Sequence, residues 1–231
     1  MPARARAASR IQTPYRLRFA DVVAAVPDFA LAAAFAIAWV RPYAPGIPSV
    51  RRLVMIVLLE FFIVHSSGFL GAVAIGDRRR SQTIAFTLGL GVFYTLFLVV
   101  FSIGFNDWWL LASFWLLMGN RLLGLVIGQP PDDRRQMFVM SSWAVSVAAY
   151  LFAVTIGAAT EPPALGLTQA VVKAQEFSIG GLWTEKPQTA IVAGAIYFTV
   201  IALWELLVPP FVFRHERFYD EVERGGAVVT A

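Results

Sequence analysis

The sequence predicts an all-α, polytopic integral membrane protein, a bundle of about six transmembrane helices. Three observations predict it. Of 231 residues, 58% are hydrophobic and 15% charged, with mean hydropathy +0.66, whereas a soluble domain carries about a quarter charged residues. The apolar residues are gathered into runs long enough to cross a hydrocarbon core of about 30 Å. The basic residues, arginine except for Lys173 and Lys186, fall mostly between those runs.

Residues 1–19 hold Arg4, Arg6, Arg10, Arg16 and Arg18 and no acid. They read as a basic cytoplasmic arm suited to anionic lipid. A cleaved signal peptide is the competing reading of the start, with Phe29–Phe35 as its apolar core and Ala36-Ile37-Ala38 as its cleavage site. Asp21 and Asp28 interrupt that approach, and the apolar run continues through Trp39 and Val40. The first span is therefore placed at 20–42, kinked at Pro27, with an interfacial helix as the alternative. Pro42, Pro45, Gly46 and Pro48 make the next segment a rigid turn.

The second span, 53–76, reads LVMIVLLEFFIVHSSGFLGAVAIG between Arg51-Arg52 and Arg78-Arg79-Arg80. Its length as a helix is about 36 Å. Gly68, Ala72 and Gly76 recur at every fourth position, a spacing that lets another helix approach closely. The third span, 84–105, ends in a tight turn at Asn106-Asp107 and leads to the fourth, 108–128, opened by Trp108 and Trp109 at interfacial depth. The segment GQPPDDRRQ separates it from the fifth, 137–158. The longest connection follows, with weak helical periodicity over 167–177 that could lie flat on the membrane. The sixth span, 189–208, is expected to stop at Pro209-Pro210, leaving 211–231 as a cytoplasmic tail of mixed charge.

With both termini inside, Arg4, Arg6, Arg10, Arg16, Arg18, Arg78, Arg79, Arg80, Arg134, Arg135, Arg214, Arg217 and Arg224 lie inside, and Arg41, Arg51, Arg52, Lys173 and Lys186 outside. That bias follows the positive-inside rule and puts both termini in the cytoplasm; the Arg-, Ala- and Gly-rich usage suggests a GC-rich bacterial genome, and so a bacterial inner membrane protein. Arg41, Arg51 and Arg52 fit the rule least well.

The candidate functional residues are the ionisable and amide groups inside the spans: Glu60, His65, Asn120, Arg121 and Glu205. Such groups are costly in lipid and face a bundle interior or a watery path. By depth, Arg121 and Glu205 are expected to pair. Glu60 then needs Arg121, a hydroxyl donor from a neighbouring helix, water, or a proton. Glu60 and His65, five residues apart, point about 140° away from each other on a helix, so no metal site is predicted. The absence of cysteine excludes disulfides and thiol chemistry. Zinc-protease, P-loop, dinucleotide-binding and nucleophile-elbow motifs are absent, and no cofactor is expected. No basic face with interleaved aromatics speaks for nucleic acid.

Two function classes follow. One is a small transporter or channel for an ion, proton or solute, using Glu60, His65 and Arg121. The other is an assembly or regulatory subunit whose buried charges only fix helix packing. An intramembrane enzyme ranks third. The expected partners are the lipid bilayer and either further copies of the chain or a partner membrane subunit.

Overall fold

The structure, a computed structural model, describes residues 19–75, 80–127 and 133–227, with 19–21, 24, 70–75, 121, 124–127, 133–139 and 208–227 described by backbone alone. The described residues are helical, without strands: α1 (Phe19–Val40), α2 (Val50–Ile75), α3 (Arg80–Gly104), α4 (Trp109–Ile127), α5 (Asp133–Ala159), the short α6 (Gln169–Lys173) and α7 (Leu182–Glu185), and α8 (Gln188–Ala227). The chain is an all-α polytopic membrane protein. Among the described residues, stretches of α2, α3, α5 and α8 are long and apolar enough to cross a membrane. Two further apolar stretches, Ala25–Val40 and Trp109–Asn120, are shorter. The basic arm 1–18, Arg78-Arg79 and the Gly128–Asp132 segment lie outside the described residues.

The chain forms two compact units, residues 28–201 and residues 1–27 with 202–231. In the larger unit, α1 seats Phe35, fully buried, on Phe198 of α8 with ring centroids 5.6 Å apart. Two bonds at matched spacing fix α5 against antiparallel α2. The Trp143 indole donates to the Val64 carbonyl (2.9 Å), and the Tyr150 hydroxyl donates to the Val57 carbonyl (3.1 Å). Both intervals are seven residues, so one face of each helix carries both bonds. Gly68 meets the Trp143 indole, with 2.5 Å between its would-be Cβ and the ring. The small-residue spacing at 68, 72 and 76 thus serves, at its first position, to admit a side chain; Gly76 lies outside the described residues.

Each of these carbonyls already accepts its own helix's N–H four residues on, so Tyr150→Phe orphans nothing buried. Tyr150→Phe should cost about 0.6 kcal/mol, and no more than about 1.7 kcal/mol, the range of interhelical hydrogen bonds in membranes. Trp143→Phe should add to it independently, because the bonds lie about 10 Å apart along the helix. Unfolding of the reconstituted protein by an anionic denaturing detergent measures both; a large coupling between them would contradict this.

α3 and α4 form a hairpin. Asn106 turns the chain with φ 48°, a left-handed conformation asparagine tolerates well. Asp107 Oδ1 accepts from the Trp109 N–H at 2.9 Å and starts α4. Trp115 donates to Thr95 Oγ1 at 2.9 Å, joining the two helices further along. The expected tight turn is therefore present.

Three boundaries differ from the sequence reading. α2 begins at Val50, not 53, because the Ser49 hydroxyl accepts from the Arg52 N–H (3.3 Å) and caps the helix. α5 begins at Asp133, within the GQPPDDRRQ segment; an acidic residue suits a helix start. Pro209-Pro210 ends the apolar run but not the helix, which continues to Ala227. A proline removes one donor and bends a long helix without ending it when the flanking turns hold. The segment beyond the prolines is thus helical backbone through Ala227.

The 160–187 connection caps one end of the larger unit. Trp39 Nε1 donates to the Pro163 carbonyl (2.7 Å), and the Gly166 N–H donates to the Trp39 carbonyl (3.0 Å). The Ser178 N–H donates to the Gly104 carbonyl at 3.2 Å, and Phe105 meets Phe177 edge to face. The expected periodicity over 167–177 yields α6, with Leu167, Val171 and Gln175 buried. Gln175 Oε1 accepts from the Arg51 N–H at 3.1 Å, and its carbonyl accepts from Arg51 Nη1 at 3.5 Å. Arg52 Nε lies 3.9 Å from Asp107 Oδ2. Basic side chains at a helix start oppose the helix dipole; Arg51 is held there by Gln175 of the cap and Arg52 lies near Asp107 of the α3–α4 turn.

Candidate functional site: an intramembrane carboxylate–tyrosine cluster

Glu60 lies ten residues into α2, about 15 Å below the capped end. Tyr197 lies about 14 Å into α8, Tyr150 about 14 Å from the end of α5, and Asp28 about 18 Å from the end of α1, by helical rise. The cap joins these helix ends, so the four residues share one layer. The Tyr197 hydroxyl donates to Glu60 Oε2 at 3.1 Å. Tyr150 and Tyr197 meet edge to face, centroids 5.6 Å apart. Asp28 and Ser146 also stand close enough to act on the Tyr197 hydroxyl, and Glu60 acts on both phenols. Both tyrosines are buried, while Glu60 and Asp28 are half-buried.

The arrangement follows from local helix geometry. Tyr150 follows Ser146 by four residues, so both present to α8 from one face of α5. Phe35 stacks on Phe198, and Phe198 packs against Tyr197 at 5.0 Å. The phenol thus has rigid aromatic neighbours on its own helix and on α5. A carboxylate offers about four lone-pair sites; one of those on Glu60 is taken by Tyr197.

The structure distributes the five sequence-chosen residues among different surroundings. Glu60 finds a hydroxyl donor on a neighbouring helix, one of the partners expected for it. His65 lies at an exposed position among Phe61, Phe69 and Tyr94, with centroids 5.3–6.0 Å away. It points away from Glu60, as their spacing required. Asn120 is exposed on α4. The Arg121 side chain lies outside the described residues, and the expected Arg121–Glu205 pair with it. Glu205, half-buried, belongs to the smaller unit. Within the larger unit, His65 and Asn120 are thus exposed while Glu60 is half-buried. Tyr150, Tyr197, Ser146 and Asp28 were not singled out from the sequence. Their signal was available: hydroxyls and a carboxylate at matching depth in apolar helices. Tyrosine is common at membrane interfaces, and Asp28 stood at the uncertain edge of the first span.

Among the described residues no three His, Asp or Glu side chains converge as metal ligands. An open hollow of about 570 Å³ lies in the cap, lined by Gln169, Ala170, Val172, Lys173 and Glu185, away from the cluster. Also in the cap, Lys186 Nζ sits 2.9 Å from Glu161 Oε1; that hydrogen bond, with the ammonium charge, holds the Glu161 carboxyl below its ordinary value. Comparison with protein-family models, with curated proteins and with solved structures finds no match, so the reading of this site rests on its own geometry.

Proposed function

We propose that this chain is a multi-pass protein of the bacterial inner membrane, both termini cytoplasmic, that moves a proton or small cation, alone or with a solute, past Glu60. The observation that carries the proposal is the Tyr197–Glu60 hydrogen bond at mid-depth, with Asp28 in the same layer of the bundle. Two carboxylates in one layer of an apolar bundle repel each other when both are ionised. Such a cluster gains by taking up a single positive charge. Tyr197 can follow that charge, donating to the carboxylate when it is ionised and rotating when it is occupied. The orientation is supported by the arginine distribution. Arg51 and Arg52, which fit that distribution poorly, have a structural use on the capped side.

A second reading, an assembly or regulatory subunit, is favoured by a different observation. Tyr150 and Tyr197 each tie one helix to α2, which is also what a purely structural cluster does. Flux separates the two. The protein is reconstituted in vesicles with a pH-sensitive dye inside and a panel of cations outside. Wild type should show flux, Glu60→Gln should abolish it, and Tyr197→Phe should slow it by about tenfold, one hydrogen bond to a charged group. Flux unchanged in a folded Glu60→Gln variant overturns the transport reading. Flux absent from all three folded proteins across the panel favours the subunit.

A further inference from the structure

The outward face of α4 carries a polar group about as far along its helix from the capped end as Glu60 is along α2. Asn120 is exposed, and its side chain makes no hydrogen bond among the described residues. It lies about 16 Å from the start of α4 and about 10 Å from its end. Its short side chain cannot reach the interface as an arginine can. An amide left unpaired in hydrocarbon is costly.

The residues around it form a seam. Ser113, Leu116, Asn120 and Leu123 recur at intervals of three, four and three, the last three exposed, Leu116 at 76% and Leu123 at 55%, and the exposed Ala112 and Gly119 flank that row. That spacing is the heptad rhythm of two helices packed at a small angle. Open space surrounds Gly119, with no atom within 4 Å of its would-be Cβ. Two small residues seven apart, Ala112 and Gly119, would let a second backbone come close.

We propose that α4 is the interface of a homodimer, in which Asn120 of each copy hydrogen-bonds Asn120 of the other. The chemistry selects a second copy over another partner. A twofold axis along the membrane normal sets the two α4 helices side by side and parallel, so each residue meets its own counterpart at equal depth. The primary amide is one of the few side chains that pairs with itself, having both a donor and an acceptor. A single asparagine in an apolar heptad seam also fixes register. The inference is independent of whether Glu60 conducts.

The chain has no cysteine, so single-cysteine variants can be made without removing any. Leu116→Cys and Gly119→Cys, oxidised in native membranes, should give disulfide-linked dimers, while Val100→Cys on the outward face of α3 should not. In vesicles, single-molecule photobleaching should show wild-type dimers. Asn120→Leu should raise the dimer dissociation constant about 3- to 18-fold, the span of an intramembrane hydrogen bond. Asn120 is exposed, so the leucine variant should unfold at the wild-type detergent fraction, which separates lost pairing from lost folding. Wild-type protein that is monomeric in vesicles overturns the proposal. So does a dimer indifferent to Asn120→Leu, or one that cross-links through Val100→Cys instead.

Discussion

Gly194→Leu is expected to prevent the larger unit from closing, and Phe35→Ala in the same chain to restore it in part. A Cβ on residue 194 of α8 would run into the Phe35 ring, standing 2.6 Å from both Cδ1 and Cζ. That ring has no room to yield, because it is fully buried and stacked on Phe198. Overpacking a filled core costs about 1–3 kcal/mol per small insertion, and leucine inserts four carbons. Phe35→Ala alone should also destabilise, for a different reason. Lipid is as apolar as the bundle interior, so transfer contributes little and the lost packing dominates. A cavity of about 100 Å³ at about 24 cal/mol per Å³ gives about 2.4 kcal/mol. The leucine of the double variant occupies that space. Detergent unfolding of all four proteins should therefore give a coupling of at least about 2 kcal/mol, favouring the double variant. Additive losses would mean that α1 and α8 do not pack through these two residues.

Gly157→Ala is expected to cost about 1–3 kcal/mol, and Gly157→Leu to leave no folded protein. Here the obstacle is backbone. A Cβ on Gly157 of α5 would meet the Thr189 carbonyl oxygen of α8, with the Thr189 carbonyl carbon and Ala193 Cβ both at 3.3 Å. A carbonyl in a helix cannot rotate aside without breaking its own bond, so the two helices must separate. No neighbouring truncation repairs this, since Ala193→Gly removes only one of the contacts. Separation of α5 from α8 would also part Tyr150 from Tyr197, two turns further along α8. Gly157→Ala should thus lower both the detergent concentration at half-unfolding and any flux through the vesicles. A Gly157→Leu variant that folds and unfolds like wild type would contradict the packing.

Much of the architecture was legible because a bilayer imposes its own length and polarity on the chain. Every backbone N–H and C=O must be satisfied within the helix, so each long apolar run had to be helical, and turns fell where polar and proline residues cluster. The Asn106-Asp107 turn was readable for that reason. The start of α2 was not, because an N-cap at Ser49 extends the helix through two arginines that hydropathy alone places outside it. Nor was the continuation of α8: a proline pair tells that bonds are missing, but not whether the neighbouring turns hold.

The candidate site was half legible. A glutamate in an apolar run must have a partner, and the sequence named Glu60 for that reason. Which partner it has depends on rotation about each helix axis and on which helices are adjacent, and hydropathy carries neither. α8 approaches α5 at Gly157, and Phe35 stacks on Phe198; together these aim Tyr197 at Glu60. His65 and Asn120 illustrate the same limit. Both sit within apolar runs, and the packing turns both outward. The sequence by itself determined that this protein is a helical membrane bundle and which polar groups would need partners, because burial in lipid is a property of each run alone. Only the tertiary structure decided who those partners are, because pairing across helices depends on side-chain packing between runs distant in the chain.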